Sequence, residues 1–299
     1  TGGDSQGGTN LSGQLNYRTT SFNSFINLGM NERKRISSGN SLRKMDFPAF
    51  TNTLNQNSNS NSGGPNLFIK TGFEYFIDPS QSLAISTTVS NGNRKKDGTT
   101  ATLDSGPGDK KFIRTTSGNS DRNGYDVNLN YDKKFKNPKQ KLTSYARFSD
   151  GLNDGLDEYS NKDNGGLDYV NSDRATDGQE GTSKGYDFKL DYIHPFSEDS
   201  KLEIGFSSKA TDRGDTQTSE LFNELTNTFI ADREFSNEFV YNETIHAAYL
   251  QYGGSIGFFG INAGGRYETV DMMSELKTTD STFHNPYSSF YPSFSVTFG

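Results

Sequence analysis

Residues 125–132 read YDVNLNYD, and this stretch is the clearest indication of the fold class. Its apolar and polar residues alternate strictly, which is the period of a β-strand with one apolar face and one polar face. A helix would scatter the four apolar residues around its whole circumference. The same alternation recurs at residues 186–192 and 202–207. The chain is therefore predicted to consist of strands with two unlike faces.

Applied to the whole chain, the same criterion predicts eleven such strands. Each is close to the roughly 9–11 residues that a tilted strand needs to cross a bilayer. They lie near residues 11–18, 22–31, 66–77, 82–92, 123–135, 141–150, 184–194, 200–210, 240–252, 256–269 and 288–298.

The connections between these strands alternate in length. Short turns rich in Gly, Pro, Asn and Ser are predicted at residues 19–21, 78–81, 136–140, 197–199 and 253–255. Long polar segments separate them, at residues 32–65, 93–122, 151–183, 211–239 and 270–287. Loops of that size are uncommon in soluble domains, whereas outer-membrane barrels combine short periplasmic turns with long extracellular loops. The pattern predicts an all-β fold, an antiparallel up-and-down transmembrane β-barrel, and leaves a soluble β-sandwich as the alternative.

The composition fits this class and excludes others. Only 30% of the residues are hydrophobic, yet 23 Phe and 15 Tyr are present, which disordered chains avoid. The net charge of −7 argues against a nucleic-acid partner, and the absence of cysteine removes disulfides and thiolate metal sites. No apolar stretch is long enough for a transmembrane helix. We expect no cofactor.

Four stretches carry a resemblance to a known family. They are YNETIHAAYLQY at residues 241–252, GGRYE at 264–268, FYPSF at 290–294 and LNYRT at 15–19. Together they resemble the outer-membrane β-barrel family allied to TonB-dependent receptors. The resemblance implies a non-enzymatic receptor or transporter in the outer membrane of a Gram-negative bacterium, which takes up a ligand with the help of a plug domain.

Residues 1–299 are expected to form a single β-barrel domain without a plug. The opening TGGDSQGGTN has neither a Met start nor the layout of a signal peptide, and a count near eleven strands is odd, whereas bacterial barrels have even counts. We therefore expect this domain to be part of a larger barrel. The expected partners are outer-membrane lipid and lipopolysaccharide, the remainder of the barrel and plug, and a surface lipoprotein or other membrane protein.

Two further functions stay open at this stage. A barrel could instead anchor or export other surface proteins, with its loops as the contact surface. A secreted carbohydrate-binding β-sandwich would follow if the barrel prediction failed.

The sequence offers no catalytic site. Residues 253–257 match the Gly-x-Ser-x-Gly pattern of hydrolases, but that pattern needs a strand-to-helix turn, and here it joins two strands. The three histidines, His194, His246 and His284, are dispersed along the chain, so no metal cluster is expected. We predict that the protein is not an enzyme.

Charged residues supply the candidate binding sites. Basic residues beyond two strand ends could contact lipopolysaccharide phosphates, or could be ordinary solvated charge; they are Arg33, Lys34, Arg35, Arg94, Lys95 and Lys96. The acidic segment 150–180 offers weak calcium candidates, Asp154, Asp157 and Asp163, with a solvated acidic loop as the favoured alternative.

Two further sets of residues complete the predictions. Charged residues on the polar faces are candidates for a lumen wall: Asp126, Asp187, Lys189, Glu203, Arg266 and Glu268. Aromatic rings within the polar loops should pack on one another, on a plug or on a partner, because they are costly to leave in water: Phe47, Phe50, Phe222, Phe229 and Phe283.

Overall fold

The computed structural model describes residues 7–106, 110–163 and 174–298. These residues form one antiparallel sheet of 13 strands in which successive long strands pair with each other. The strands are β1 (Gly8–Arg18), β2 (Phe22–Phe47), β3 (Phe50–Asp78), β4 (Gln81–Ser105), β5 (Lys110–Lys134), β6 (Lys141–Asp163), β7 (Arg174–Pro195), β8 (Lys201–Asn223), β9 (Thr228–Ala231), β10 (Asn237–Ile256), β11 (Phe259–Leu276), β12 (Ser281–His284) and β13 (Tyr287–Phe298). The short strands β9 and β12 pair only with β8 and β11, so that β8 pairs with β10 and β11 with β13. A single 3₁₀ turn, Lys277–Thr279, is described between β11 and β12. The predicted up-and-down antiparallel topology is confirmed.

The two faces of the sheet differ as the alternation predicted. One face, here called the apolar face, carries the side chains in register with Tyr125, Val127, Leu129 and Tyr131. The opposite side is called the polar face. A register row runs from Phe22 on β2, across every intervening main strand, to Phe290 on β13. Phe22 begins the apolar stretch of β2, whereas Phe290 lies at the opposite end of the apolar stretch of β13. This stagger is the signature of strands tilted as in a barrel.

The sheet has no packed core. Within the described ranges only Ala175, Ala247 and Val270 are buried hydrophobic residues. Large apolar side chains such as Leu129 and Phe206 stay about two-fifths exposed. Leaving a side chain of this size in water costs about 1.5–3 kcal/mol, so this surface needs a lipid environment. A second sheet packed against the first is not found in the described residues, and the β-sandwich alternative is wrong.

Four of the five short turns lie where the sequence predicted them, and one is displaced. The predicted turn at residues 253–255 is strand, and the chain reverses at Gly257 and Phe258 between β10 and β11. Gly257 has a φ of 60°, in the left-handed region that two-residue hairpin turns require. Gly253 and Gly254 instead pair with Asn262 and Ile261. The turn therefore forms at the glycine whose φ is positive.

The long connections lie together at the opposite end, and most of their length is strand. In the longest case β2 and β3 stay paired as far as Phe47 and Phe50. Side chains bond across these extensions: Ser37 Oγ lies 2.7 Å from Ser60 Oγ, and Asn40 Nδ2 donates to Asn57 Oδ1 at 2.6 Å. Hydrophobic alternation is not needed for pairing, because the backbone ladder and polar cross-strand pairs suffice. We call these segments the hairpin extensions.

The sheet does not close on itself in the described residues. Strand β1 pairs with β2 alone and β13 with β11 alone, so each presents one unpaired edge. All eleven residues of β1 are exposed. The described residues contain no helix long and apolar enough to span a membrane.

Candidate functional site

We call the part of the sheet between the short turns and the hairpin extensions the membrane-crossing region. Its polar face is lined by charged side chains. All six predicted wall residues lie on it: Asp126, Asp187, Lys189, Glu203, Arg266 and Glu268. Short ion pairs tie many of them to the wall; the pairs are Arg147 with Asp126, Lys189 with Asp191, Lys201 with Glu203, and Arg266 with Glu268. The face therefore carries both signs of charge, and five of the six predicted residues are in ion pairs, whereas Asp187 has none in the described ranges.

A tyrosine bridges three strands within this wall. The Tyr249 hydroxyl donates to Asp191 Oδ1 at 2.6 Å, although β8 lies between β10 and β7. The residue in between is Gly205, and any Cβ there would overlap the Tyr249 ring. Lys189 Nζ lies 3.2 Å from Asp191 Oδ2 and completes the network. The absent side chain of Gly205 is what allows the ring to lie flat across the sheet.

Three of the four stretches that resemble a known family meet in one part of the sheet, on β10, β11 and β13, whereas residues 15–19 lie at the opposite edge, at the end of β1. Tyr249 on β10 is in register with Arg266 on β11, which is in register with Tyr291 on β13, all on the polar face. On the apolar face the Phe290 ring covers Gly265, which has no side chain to obstruct it. These three stretches thus form one three-strand unit.

The six predicted lipopolysaccharide contacts lie at the same height on β2 and β4, but they are distributed over both faces of the sheet. Lys34 and Lys95 lie on the apolar face, where Gly63 separates them without a side chain. The other four, Arg33, Arg35, Arg94 and Lys96, lie on the polar face. Because successive strand residues point to opposite sides, only two of the six remain on the face that lipid would contact.

The polar face of the hairpin extensions contains a concavity of about 400 Å³. Gly118 and Gly155 leave its floor open, and Arg94 and Lys96 lie on one side with Asp157 and Asp177 on the other. Lys96 Nζ reaches across Gly118 to within 3.5 Å of Asp157 Oδ2.

Tyr159 lies next along the polar face of β6. The Arg114 guanidinium carbon sits 4.5 Å from its ring centroid. Burial, and then the nearby charge of Asp177, raise the pKa of the Tyr159 hydroxyl, while Arg114 opposes the rise. The hydroxyl therefore stays protonated and can donate a hydrogen bond at neutral pH.

The calcium candidates are not brought together. Asp154 and Asp157 lie on opposite faces of β6, because they are three residues apart in an unbroken ladder. Asp157 is also committed to Lys96. The side chain of Asp163 lies outside the described residues. Across the described ranges no group of three or more acidic, histidine or cysteine side chains could hold a metal ion.

Ser255, considered for catalysis, and the histidines, considered for a metal cluster, are also separated. Ser255 is the last residue but one of β10 and is in register with Gly260. It therefore precedes a hairpin turn between two strands, not a strand-to-helix elbow. His194 bonds to Tyr192 at 3.2 Å, whereas His284 Nε2 lies 2.7 Å from Asp271 Oδ1 at the other end of the sheet.

Four of the five loop aromatics pack on one another. Phe47 and Phe50 stack with a centroid distance of 4.8 Å, and Phe222 meets Phe229 edge-on at 5.2 Å. Arg174 lies 4.5 Å above Phe222. Phe283 remains 57% exposed. The packing expected among loop aromatics is therefore confirmed for both pairs.

An antiparallel sheet with tilted strands, an exposed apolar belt and a charged opposite face defines a wall of an outer-membrane β-barrel. The sequence profile of the outer membrane protein beta-barrel family matches residues 133–298. Because the match covers more than half of the chain, the protein belongs to that family. Its location is accordingly the outer membrane, with the apolar face toward lipid.

Two solved structures are similar to the chain. The outer membrane protease OmpT from Escherichia coli is 13% identical, with a TM-score of 0.31, and the similarity covers 93% of this chain and 95% of that one. The ferric citrate transporter FecA in its unliganded form is 13% identical with a TM-score of 0.48. That similarity covers 98% of this chain but only 42% of FecA. The curated proteins include no match to the chain.

Sequence reasoning missed two features of the polar face. The Tyr249–Asp191 bond depends on the register of three strands and on Gly205, and no local pattern reveals it. Arg122 was also missed, although it lies on the same face as Arg94. The only indication in the sequence was a basic residue within a polar segment, and that segment lacks the alternation that would assign it to a face.

Proposed function

We propose that the chain forms the wall of a non-enzymatic outer-membrane receptor or transporter of the TonB-dependent type, which takes up a soluble ligand along its polar face. Residues 1–299 are one β-barrel domain in this proposal. The remainder of the barrel and a plug domain are its partners.

The observation that carries the proposal is the three-strand unit built by Tyr249, Arg266 and Tyr291. These residues belong to the stretches that resemble the TonB-dependent family, and they share one polar-face row. The ion pairs of Asp126, Glu203 and Glu268 support a water-facing lumen, because paired charges of both signs suit a hydrated wall.

Contact with lipopolysaccharide is part of the same proposal and is limited to Lys34 and Lys95. Both lie on the apolar face, Lys34 four residues beyond Met30 and Lys95 six residues beyond Val89, where β2 and β4 become largely polar and lipid phosphates would lie. A K34Q/K95Q variant should co-purify with less lipopolysaccharide than the parent protein. Unchanged lipopolysaccharide content would remove these two contacts from the proposal.

Uptake is tested in the native host by deleting the gene. Growth is then compared across a panel of iron complexes, cobalamin and oligosaccharides, beside a strain that lacks the energy-transducing TonB protein. Both strains should lose growth on the same nutrient, and the intact gene should restore it to the first strain.

The competing function, anchoring or export of surface proteins, makes a different prediction for the same strain. The surface proteome of the deletion strain would then lose defined proteins, while growth on every nutrient of the panel would match the parent strain. That outcome would reject the transport proposal.

A further inference from the structure

Five basic side chains converge on the polar face of the hairpin extensions. Arg33 and Arg94 lie on either side of Gly64, and Arg35 and Lys96 lie on either side of Ser62. On the next strand Arg122 is in register with Gly92 of β4. We call this set, Arg33, Arg35, Arg94, Lys96 and Arg122, the basic patch. With strands about 4.8 Å apart, the backbones of β2 and β4 that carry these side chains are about 10 Å apart.

Most of this positive charge is not compensated. Lys96 is the one member with an ion pair inside the described ranges, at 3.5 Å from Asp157. Arg94 donates to the neutral Ser62 hydroxyl at 2.9 Å. In the wall of the membrane-crossing region more of the charges form ion pairs, although Asp187 has none in the described ranges. The patch therefore keeps guanidinium groups available for a bidentate contact with an oxyanion.

The concavity described above adjoins the patch and offers a second kind of contact. Its lining includes the Ser120 hydroxyl, the amides of Asn153, Gln179 and Gln217, and the carboxylate of Asp177. These groups suit the hydroxyls of a ligand, which both donate and accept hydrogen bonds. No aromatic ring is among the described lining residues, so a stacked nucleobase has no platform here.

We propose that the basic patch and the adjoining concavity form a binding site for an acidic oligosaccharide. Its carboxylate groups would contact the arginines, and the hydroxyls of a neighbouring sugar would occupy the concavity. The proposal goes beyond the transport proposed above and does not depend on it, because binding requires only this part of the wall.

The test uses the full-length protein in detergent and isothermal titration calorimetry with oligogalacturonate of six units. Binding should be measurable at low salt and should weaken as NaCl is added, because exposed charges are screened. An R33Q/R94Q variant should bind about a hundredfold more weakly, since removing each arginine's charge-assisted hydrogen bond costs about tenfold in affinity. Arginine-to-lysine changes at the same positions should weaken binding less.

The matched control is K44Q/K184Q, which removes the same charge from the apolar face of β2 and β7. It should bind oligogalacturonate like the parent protein. Heat-modifiable gel mobility establishes that every variant is folded before binding is compared.

Four results would overturn the proposal. The first is that oligogalacturonate does not bind the folded parent protein. The second is that neutral maltohexaose binds equally well, and the third is that the control variant loses as much affinity as R33Q/R94Q. Tighter binding of tripolyphosphate than of oligogalacturonate would also overturn it, by assigning the patch to phosphate. A nutrient-uptake defect without oligogalacturonate binding would leave the transport proposal standing and reject this one.

Discussion

The membrane-crossing region and the hairpin extensions share one hydrogen-bond ladder but differ in their side chains. On β2 the apolar face carries Phe22, Ile26, Leu28 and Met30, and beyond Met30 both faces become largely polar. The pairing with β3 continues without change of register to Phe47. Backbone pairing alone therefore builds the sheet, while the side chains decide which part lies in lipid.

The difference also appears in how charges are held. In the membrane-crossing region acidic and basic groups are neighbours on the polar face, as in Arg266 with Glu268. In the extensions the four arginines of the basic patch, on β2, β4 and β5, have no ion pair in the described ranges, and only Lys96 pairs with an acid, Asp157 on β6. Separated charges create a field that can attract a ligand, and paired charges do not.

The strongest test of this difference is to place a charge on the apolar face. Leu129→Arg should lower the free energy of unfolding from lipid vesicles by about 2–4 kcal/mol, because the guanidinium must enter the hydrocarbon. The quantity is obtained from denaturant unfolding followed by far-UV circular dichroism.

Two controls accompany Leu129→Arg. Asn130→Arg places the arginine on the polar face, one residue away from Leu129. Ser117→Arg places it in the hairpin extensions, on the same face of β5 as Leu129. Each should change the stability by no more than about 0.5 kcal/mol. A large loss of stability in Ser117→Arg would mean that lipid also covers the extensions.

Two glycine-to-alanine substitutions test whether side chains pack more tightly in the membrane-crossing region than in the hairpin extensions. Gly205→Ala should cost about 1–3 kcal/mol, because its Cβ would overlap the Tyr249 ring and force the ring away from Asp191. Gly155→Ala is the control in the extensions, where the nearest atom, Asn119 O, is 3.5 Å from the new Cβ. Its effect should be close to zero, and equal losses of stability in both variants would show that the overlap with the ring is not the cause.

The sequence predicts the first of these two regions far better than the second. Alternation such as that of Tyr125, Val127 and Leu129 exists because one face meets lipid, so all main membrane-crossing strands were identifiable. The extensions lack that contrast: residues 37–41 and 57–60 are Ser, Asn and Gly, which are typical of loops, yet they pair as strands. Their structure follows from the strands that precede them.

The candidate site was predictable only in part, for a related reason. Alternation assigns Asp126 or Glu203 to a face, but the register decides which side chains on different strands are neighbours. The register places Arg33 and Arg94 on either side of Gly64, and the Tyr249–Asp191 bond depends on Gly205. Likewise, residues 253–257 contain three glycines, so the sequence allows the turn at more than one position. In the structure the turn lies at Gly257, the one of the three with a positive φ.

Shortening a hairpin extension should have a smaller effect than either substitution in the membrane-crossing region. Replacing residues 38–59 with Asn-Gly would join Ser37 to Ser60, which already pair. Because the apolar belt stays intact, heat-modifiable gel mobility should be retained, with a smaller loss of stability than in Gly205→Ala. Disappearance of the folded band would show that the β2–β3 extension is needed for folding of the membrane-crossing region.

The smallest expected effect concerns the short turns, which lie in water at the end opposite the extensions. Lys139 Nζ donates to Glu198 Oε2 at 2.5 Å between two neighbouring turns, and this bond, followed by the lysine charge, holds the pKa of the Glu198 carboxyl below its usual value. A depressed carboxyl pKa contributes stability above the unfolded pKa, about 4.3 for Glu, and that contribution disappears as the pH falls through the folded value. The parent protein should therefore lose slightly more stability than Lys139→Gln between pH 7 and pH 3.

The loss stays small because Glu198 is 89% exposed and its ion pair is screened by water. Carboxyl NMR titration of Glu198 gives the direct measurement: a pKa that does not rise in Lys139→Gln would contradict the assignment, and Asp78, whose pKa is lowered by Ser80 instead, should titrate alike in both proteins.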